Sequence, residues 1–151
     1  MTVREALTAD ADALLPLATE FAASFAVDPN CFRESFRQCW LDSSSHVVVA
    51  IVKSSLVGYL LGFDHVAFFV NGRVSKVEEI YVCPSHRGHG VGRVLMKEFE
   101  RWARSRSSAQ VVVCTRQASG FYSALGYEET ATCFRTILKK EVEQPARTRL
   151  W

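Results

Sequence analysis

CPSHRGHGVGRVLMKEFERW, residues 83–102, sets Gly88, Gly90 and Gly92 at alternate positions directly behind Arg87. Val91, Leu95, Phe99 and Trp102 then recur at helical spacing. Upstream, Val74 to Val82 reads as a long strand ended by Pro84. The stretch is therefore strand, bare turn, helix. Glycines leave backbone N–H groups open to converge on one ligand, and the first N–H groups of a helix have no partner inside it. The positive end of the helix dipole favours an anion by roughly 0.3–1 kcal/mol when exposed and up to about 2 kcal/mol when partly buried. Arg87 adds a permanent charge and a forked donor. The turn suits a phosphate-like anion. Its G-x-G-x-G spacing is neither the dinucleotide G-x-G-x-x-G nor a P-loop, since no Lys-Ser or Lys-Thr follows Gly92. Tight packing is the competing reading, and it explains one glycine better than this set.

Outward from the turn, TVREA is a short strand. Thr8 is a helix cap, with Asp10 and Asp12 in the first turn and Leu14, Leu17, Phe21 and Phe25 on one face. Asp28-Pro29 starts a second helix with Phe32, Phe36 and Trp40 on one face, ended by the serines after Asp42. HVVVAIV and LVGYLLGF are apolar strands joined by a short hairpin at Lys53 to Ser55, and Asn71-Gly72 is the strongest hairpin signal. Beyond the central helix, in which Glu100 and Arg104 can pair, QVVVCT is a strand. ASGFYSALGY is a short helix stopped by Gly126, and CFRTILKK is a last strand. The order β-α-α-β-β-β-α-β-α-β predicts a mixed α/β (α+β) domain over residues 1–140. Its six to seven mostly antiparallel strands would carry helices on both faces, with a flexible tail over 141–151.

The chain has 151 residues, 48% hydrophobic and 23% charged, enough to bury a core in one domain. A net charge of +2 is too weak to argue for nucleic acid, and no nucleic acid partner is expected. No apolar run is long enough for a membrane span, and the first residues do not resemble a signal peptide, so a cytoplasmic location is expected. The five cysteines lack metal-ligand spacing and read as reduced core thiols, with no metal expected.

VCPSHRGHGVGRVLM resembles motif A of the GNAT superfamily of acetyl-CoA-dependent N-acetyltransferases, with Arg87, Gly90 and Gly92 matching in place. Ala118, Phe121, Tyr122, Gly126 and Tyr127 resemble the family's later segment. The resemblance covers nearly all of residues 1–140 and implies direct acetyl transfer in a ternary complex. Strands Val74–Val82 and Val111–Thr115 would splay apart. Acetyl-CoA would lay its pantetheine arm against backbone at Ile80, Tyr81 and Val82, and its pyrophosphate on Arg87, Gly88, His89, Gly90, Val91, Gly92 and Arg93. The sequence departs at Thr115, where many members carry Asn. The resemblance also implies dimerisation.

An alkyl amine arrives as ammonium, with a pKa near roughly 10, and needs a base. Glu79 is the first choice and Glu78 the second, each competing with a solvated-carboxylate reading. The resemblance implies Tyr122 as the acid for the leaving thiolate, against a core-tyrosine reading. Each role is worth about 10²–10⁴ in rate. Cys83 and Cys114 suit a thiol mechanism less well than burial. His86 and His89 flank the turn as exposed residues that can touch phosphate. Phe68 and Phe69 suit sheet core, an acceptor pocket or a dimer contact. The acids favour a small cationic amine as acceptor. A peptide or protein amine, and a non-catalytic acyl-CoA sensor, are the alternatives.

Overall fold

The computed structural model describes residues 1–22 and 24–138. The elements are β1 (Thr2–Glu5), α1 (Ala11–Phe21), α2 (Pro29–Leu41), β2 (Ser45–Val52), β3 (Ser55–Ala67), β4 (Gly72–Val82), α3 (Val91–Ser105), β5 (Ser108–Val113) and α4 (Ser119–Ser123). The strands form one sheet in chain order, antiparallel from β1 to β4, with β5 parallel to β4.

Alternation in β2 explains the two helical layers. Val48 and Ala50 meet Leu95, Met96 and Phe99 of α3 on one face. Val47 and Val49 meet Leu14 and Leu17 of α1 and Phe36 of α2 on the other. With both faces covered, β2 reads as an unbroken apolar run. Leu95, Met96 and Phe99 are fully buried, each stabilising by about 1.5–3 kcal/mol. Asp28 caps α2 as its sequence predicts, accepting from the Asn30 and Cys31 amides at 3.0 and 2.9 Å.

Several expectations are corrected. Thr8 caps nothing: residues Thr8–Asp10 form a 3-10 turn, and Asp10 accepts from the Leu7 amide and both terminal nitrogens of Arg4. Phe25 lies past the end of α1 and is exposed. The short hairpin read at Lys53 to Ser55 stands, with left-handed backbone at Lys53 and Ser54. Asn71-Gly72 instead closes a longer connection through a 3-10 turn at Phe68–Val70. That turn leaves Phe68 96% exposed and Phe69 75% exposed, so neither is sheet core.

The described residues hold five strands, not six or seven. CFRTIL, residues 133–138, is exposed and forms no ladder, while Lys139, Lys140 and the 141–151 tail lie outside the described residues. The cause is visible in its anchors. Cys133 is disulfide-bonded to Cys114, just past the end of β5, and Arg135 donates to Ser24 Oγ at 3.2 Å beyond α1. The segment is drawn across the end of β5, so its strand propensity finds no register. The same bond corrects the reading of all cysteines as reduced core thiols. Cys114 is an exposed residue at a strand end, and Cys39 and Cys83 keep their thiols in part-buried positions.

Candidate active site

β4 and β5 pair from Arg73 with Ser108 as far as Val77 with Val113. β5 stops there while β4 continues to Val82, so residues 78–82 lose their strand neighbour on that side. Ile80, Val82, Val113, Ala118 and Phe121 are partly buried here, packed against the core beneath α3. The ladder between the two strands ends here, where the resemblance places their parting.

Past the end of β4 the glycine turn has the conformation its sequence requires. Gly88 and Gly90 have φ of 76° and 81°, a left-handed backbone disfavoured for side-chain-bearing residues, and open space where a Cβ would stand. Gly90 caps α3, whose first turn bond runs from the Val94 amide to the Gly90 carbonyl at 3.1 Å. Among the described residues the amides of 88–93 have no protein acceptor, which fits a group rich in anionic oxygens. Gly92 plays another part: a Cβ there would stand 3.1 Å from the Phe121 ring, so its lack of a side chain lets α4 close on α3. Arg87 is bent back, its Nε donating to the Val82 carbonyl at 2.8 Å and its guanidinium 5.5 Å from the centre of the Tyr81 ring. One of the carbonyls expected to meet the pantetheine arm is thus already engaged. His89 bonds the Arg87 carbonyl through Nδ1 at 2.8 Å, and His86 bonds Ser85. Thr115 Oγ1 accepts from the Ala118 amide at 3.0 Å, so it organises the entry to α4.

The two glutamates separate sharply. Glu79 stands opposite Leu61 and Val77 opposite Gly62, leaving Glu78 as an extra residue in β4. This bulge shifts the alternation. Ile80 and Val82 stay with Val77 on the α3 face, and Glu79 joins Tyr81 and Tyr59 on the α1 face. Glu78 is exposed and paired with Lys76 at 2.7 Å. Glu79 has no cationic partner among the described residues and accepts from Tyr59 Oη at 2.6 Å. Burial pushes its carboxyl up, the Tyr59 hydrogen bond pulls it down, and neighbouring Glu78 pushes it up again, for a net rise.

Tyr122 is 6% exposed, edge-on to Phe121 and Tyr127, and its hydroxyl has no hydrogen-bond partner among the described residues. Burial raises its pKa and keeps it a donor. Burial likewise raises the Cys83 thiol, an unfavourable setting for a thiolate nucleophile.

Tyr59 and Glu20 carry no motif that points to them. Tyr59 sits in the apolar run LVGYLLGF, where a polar-tipped residue is the one available signal. Glu20, in the last turn of α1, accepts from the Tyr81 hydroxyl. A carboxylate at the negative end of a helix is electrostatically disfavoured. Burial and Glu20 together push the Tyr81 phenol up to about 12. A polar cavity of about 190 Å³, lined by Trp40, Asp42, His46 and Trp102, lies apart from both halves of the site. No three His, Cys, Asp or Glu among the described residues stand close enough to hold a metal, and no helix there is long and apolar enough to cross a membrane.

A ladder that ends early, a turn of free amides and a half-buried carboxylate nearby stand together on a mixed α/β sheet, the setting of an acyltransferase fold. Residues 13–127 match the acetyltransferase (GNAT) family, and the chain belongs to it. An aminoglycoside N(6')-acetyltransferase type 1 of Stenotrophomonas maltophilia is 31% identical over 140 residues, covering 85% of this chain and 87% of its own. The aminoalkylphosphonate N-acetyltransferase of Salmonella typhimurium is 27% identical over 142 residues, 90% of each chain. In fold, the aminoglycoside antibiotic 6'-N-acetyltransferase of Acinetobacter haemolyticus superposes with a TM-score of 0.75 at 21% identity, over 93% of this chain and 100% of that one. The protein is an enzyme that takes its acetyl group from acetyl-CoA.

Proposed function

We propose that this enzyme acetylates a primary amine of a small cationic acceptor by direct attack in a ternary complex. The observation that carries the reading is Glu79, a half-buried carboxylate just past the end of the β4–β5 ladder without a neutralising cation among the described residues. Its raised pKa brings it closer to working pH, where a general base is most effective. Acetyl-CoA supplies an activated thioester. Glu79 takes a proton from the acceptor ammonium, directly or through a water. Tyr122 donates its phenolic proton to the departing sulfur. The amides of Gly88 to Arg93 receive the pyrophosphate, and backbone at Ile80 to Val82 receives the pantetheine arm. Glu78, tied to Lys76, contributes negative field rather than proton transfer. Glu20, likewise without an ion-pair partner among the described residues, adds a second attraction for cations. Relatives named for aminoglycosides and aminoalkylphosphonates support a small-molecule acceptor over a peptide.

The test is release of free CoA thiol across a panel of mono-, di- and polyamines and amino sugars, with wild type and Glu79→Gln. The reading requires amine-dependent release that falls about 10²–10⁴-fold in the variant at equal acetyl-CoA affinity. Full activity of Glu79→Gln would remove Glu79 as the base.

A further inference from the structure

Tyr59 is the residue that the proposed reaction leaves unexplained. It is 4% exposed, in the middle of β3, directly opposite Tyr81 on β4. Phe21 of α1 packs edge-on against its ring at 6.4 Å. A buried phenol usually spends its hydroxyl on a backbone carbonyl or a water. This one is aimed at Oε2 of Glu79, at 2.6 Å. That contact exists because Glu78 is extruded from the β3–β4 ladder. Without the bulge, Glu79 would follow the phase of Val77 and face α3.

We propose that Tyr59 is a positioning residue for Glu79: its hydroxyl holds one carboxylate oxygen and leaves the other free toward the acceptor amine. This rests on Glu79 being the base. The phenol is suited to a fixed role. Burial first, and then the Glu79 charge, push its pKa far above the ordinary tyrosine value, so it stays a donor throughout the working range. Glu79 is the group that titrates. Around it stand Tyr59 from β3, Glu78 from β4 and the Cys39 thiol from α2, with Tyr81 beside Tyr59. Of the influences on Glu79, burial and Glu78 favour the protonated form, and Tyr59 alone favours the carboxylate. Removing its hydroxyl leaves the opposing pair unchecked.

The direction follows. A general base works deprotonated, so kcat/KM falls about tenfold per pH unit below its pKa. A hydrogen bond to a charged group, converted at the standard free energy per pKa unit, corresponds to a shift of about one to two units. In Tyr59→Phe the acidic limb therefore moves up by about that much. Activity drops most between the old and new limbs and recovers on the alkaline side. A role in packing alone would lower activity at every pH and leave the limb in place.

The experiment is the pH profile of kcat/KM for wild type, Tyr59→Phe and Glu79→Gln on the best amine of the panel. It is paired with infrared titration of the Glu79 carboxyl band in ligand-free protein, assigned by its loss in Glu79→Gln. The expected result is an upward shift of both the limb and the band in Tyr59→Phe, with acetyl-CoA affinity within about twofold of wild type as the sign of an intact fold. Active wild type with an unmoved limb and band in Tyr59→Phe overturns the role of Tyr59 and leaves the acetyl transfer standing. An acidic limb that survives in Glu79→Gln overturns the base and the positioning role together. A wild type that transfers to no amine overturns the reaction itself.

Discussion

Gly62→Ala sets backbone preference against packing, and the structure decides which wins. Alanine is the better residue in a strand interior by roughly 0.5–1 kcal/mol. A Cβ at position 62 would stand 2.4 Å from two carbons of the Phe99 ring and 2.7 Å from the Lys76 carbonyl. Ordinary contact begins near 3.4 Å, so the ring or the strand must move by about 1 Å. Neither has room. Phe99 is fully buried, with Trp102 at 5.3 Å between ring centres, and Lys76 is held in the β3–β4 ladder. Overpacking costs about 1–3 kcal/mol, and contact from both sides puts this site at the upper end. The net loss is about 2–2.5 kcal/mol, or roughly 4–10 °C in Tm for a chain of this size. Urea and thermal unfolding of Gly62→Ala, Phe99→Leu and the double variant test it. The smaller side chain opens the space the methyl needs, so the double variant should be more stable than the sum of the singles by about 1 kcal/mol or more. Gly62→Ala within about 0.5 kcal/mol of wild type, or strict additivity, would refute the packing geometry.

Three more outcomes are expected. Tyr122→Phe lowers turnover by about 10²–10⁴ with acetyl-CoA affinity nearly unchanged; unaltered turnover in a steady-state assay removes it as the acid. Asp64 is buried between Arg73 and Arg106: burial pushes its carboxyl up, but the arginine hydrogen bonds outweigh that and hold it below the usual range. Its stabilisation is thus complete above the unfolded pKa of about 3.9 and lost as pH falls through the folded value, so urea unfolding of Asp64→Asn should show a flatter loss of stability in acid than wild type. Thiol alkylation of unfolded, unreduced protein should label Cys39 and Cys83 and spare Cys114 and Cys133, as read by mass.

The elements legible in the sequence are those whose reasons are local. Asp28-Pro29, the periodic face of α3 and the turn at Gly88 and Gly90 each specify their structure within a few residues and stand where they were read, while Gly92 falls inside α3. Gly126, with φ of 88°, ends the last helix in the same way. What was illegible depends on partners far along the chain. The bulge at Glu78 is a mismatch between two strands, and VEE carries no trace of it. Tyr59 meets Glu79 across 20 residues and Tyr81 meets Glu20 across 61. Asn71-Gly72 lost the tight hairpin because the 3-10 turn through Phe68–Val70 lengthens the connection, whereas Lys53-Ser54 took left-handed backbone because β2 and β3 leave two residues between them. Strand propensity in CFRTIL is real, but strands need an edge, and the Cys114–Cys133 link carries this one elsewhere.

The central claim is that the splay and the glycine turn hold acetyl-CoA for transfer to an amine. Isothermal titration with acetyl-CoA, followed in the same sample by thiol release on adding cationic amines, tests it most directly. The account predicts saturable binding at one site per chain, weakened in Gly90→Val, and release of CoA thiol that depends on the amine. Absence of binding, or binding that Gly90→Val leaves untouched, would contradict it.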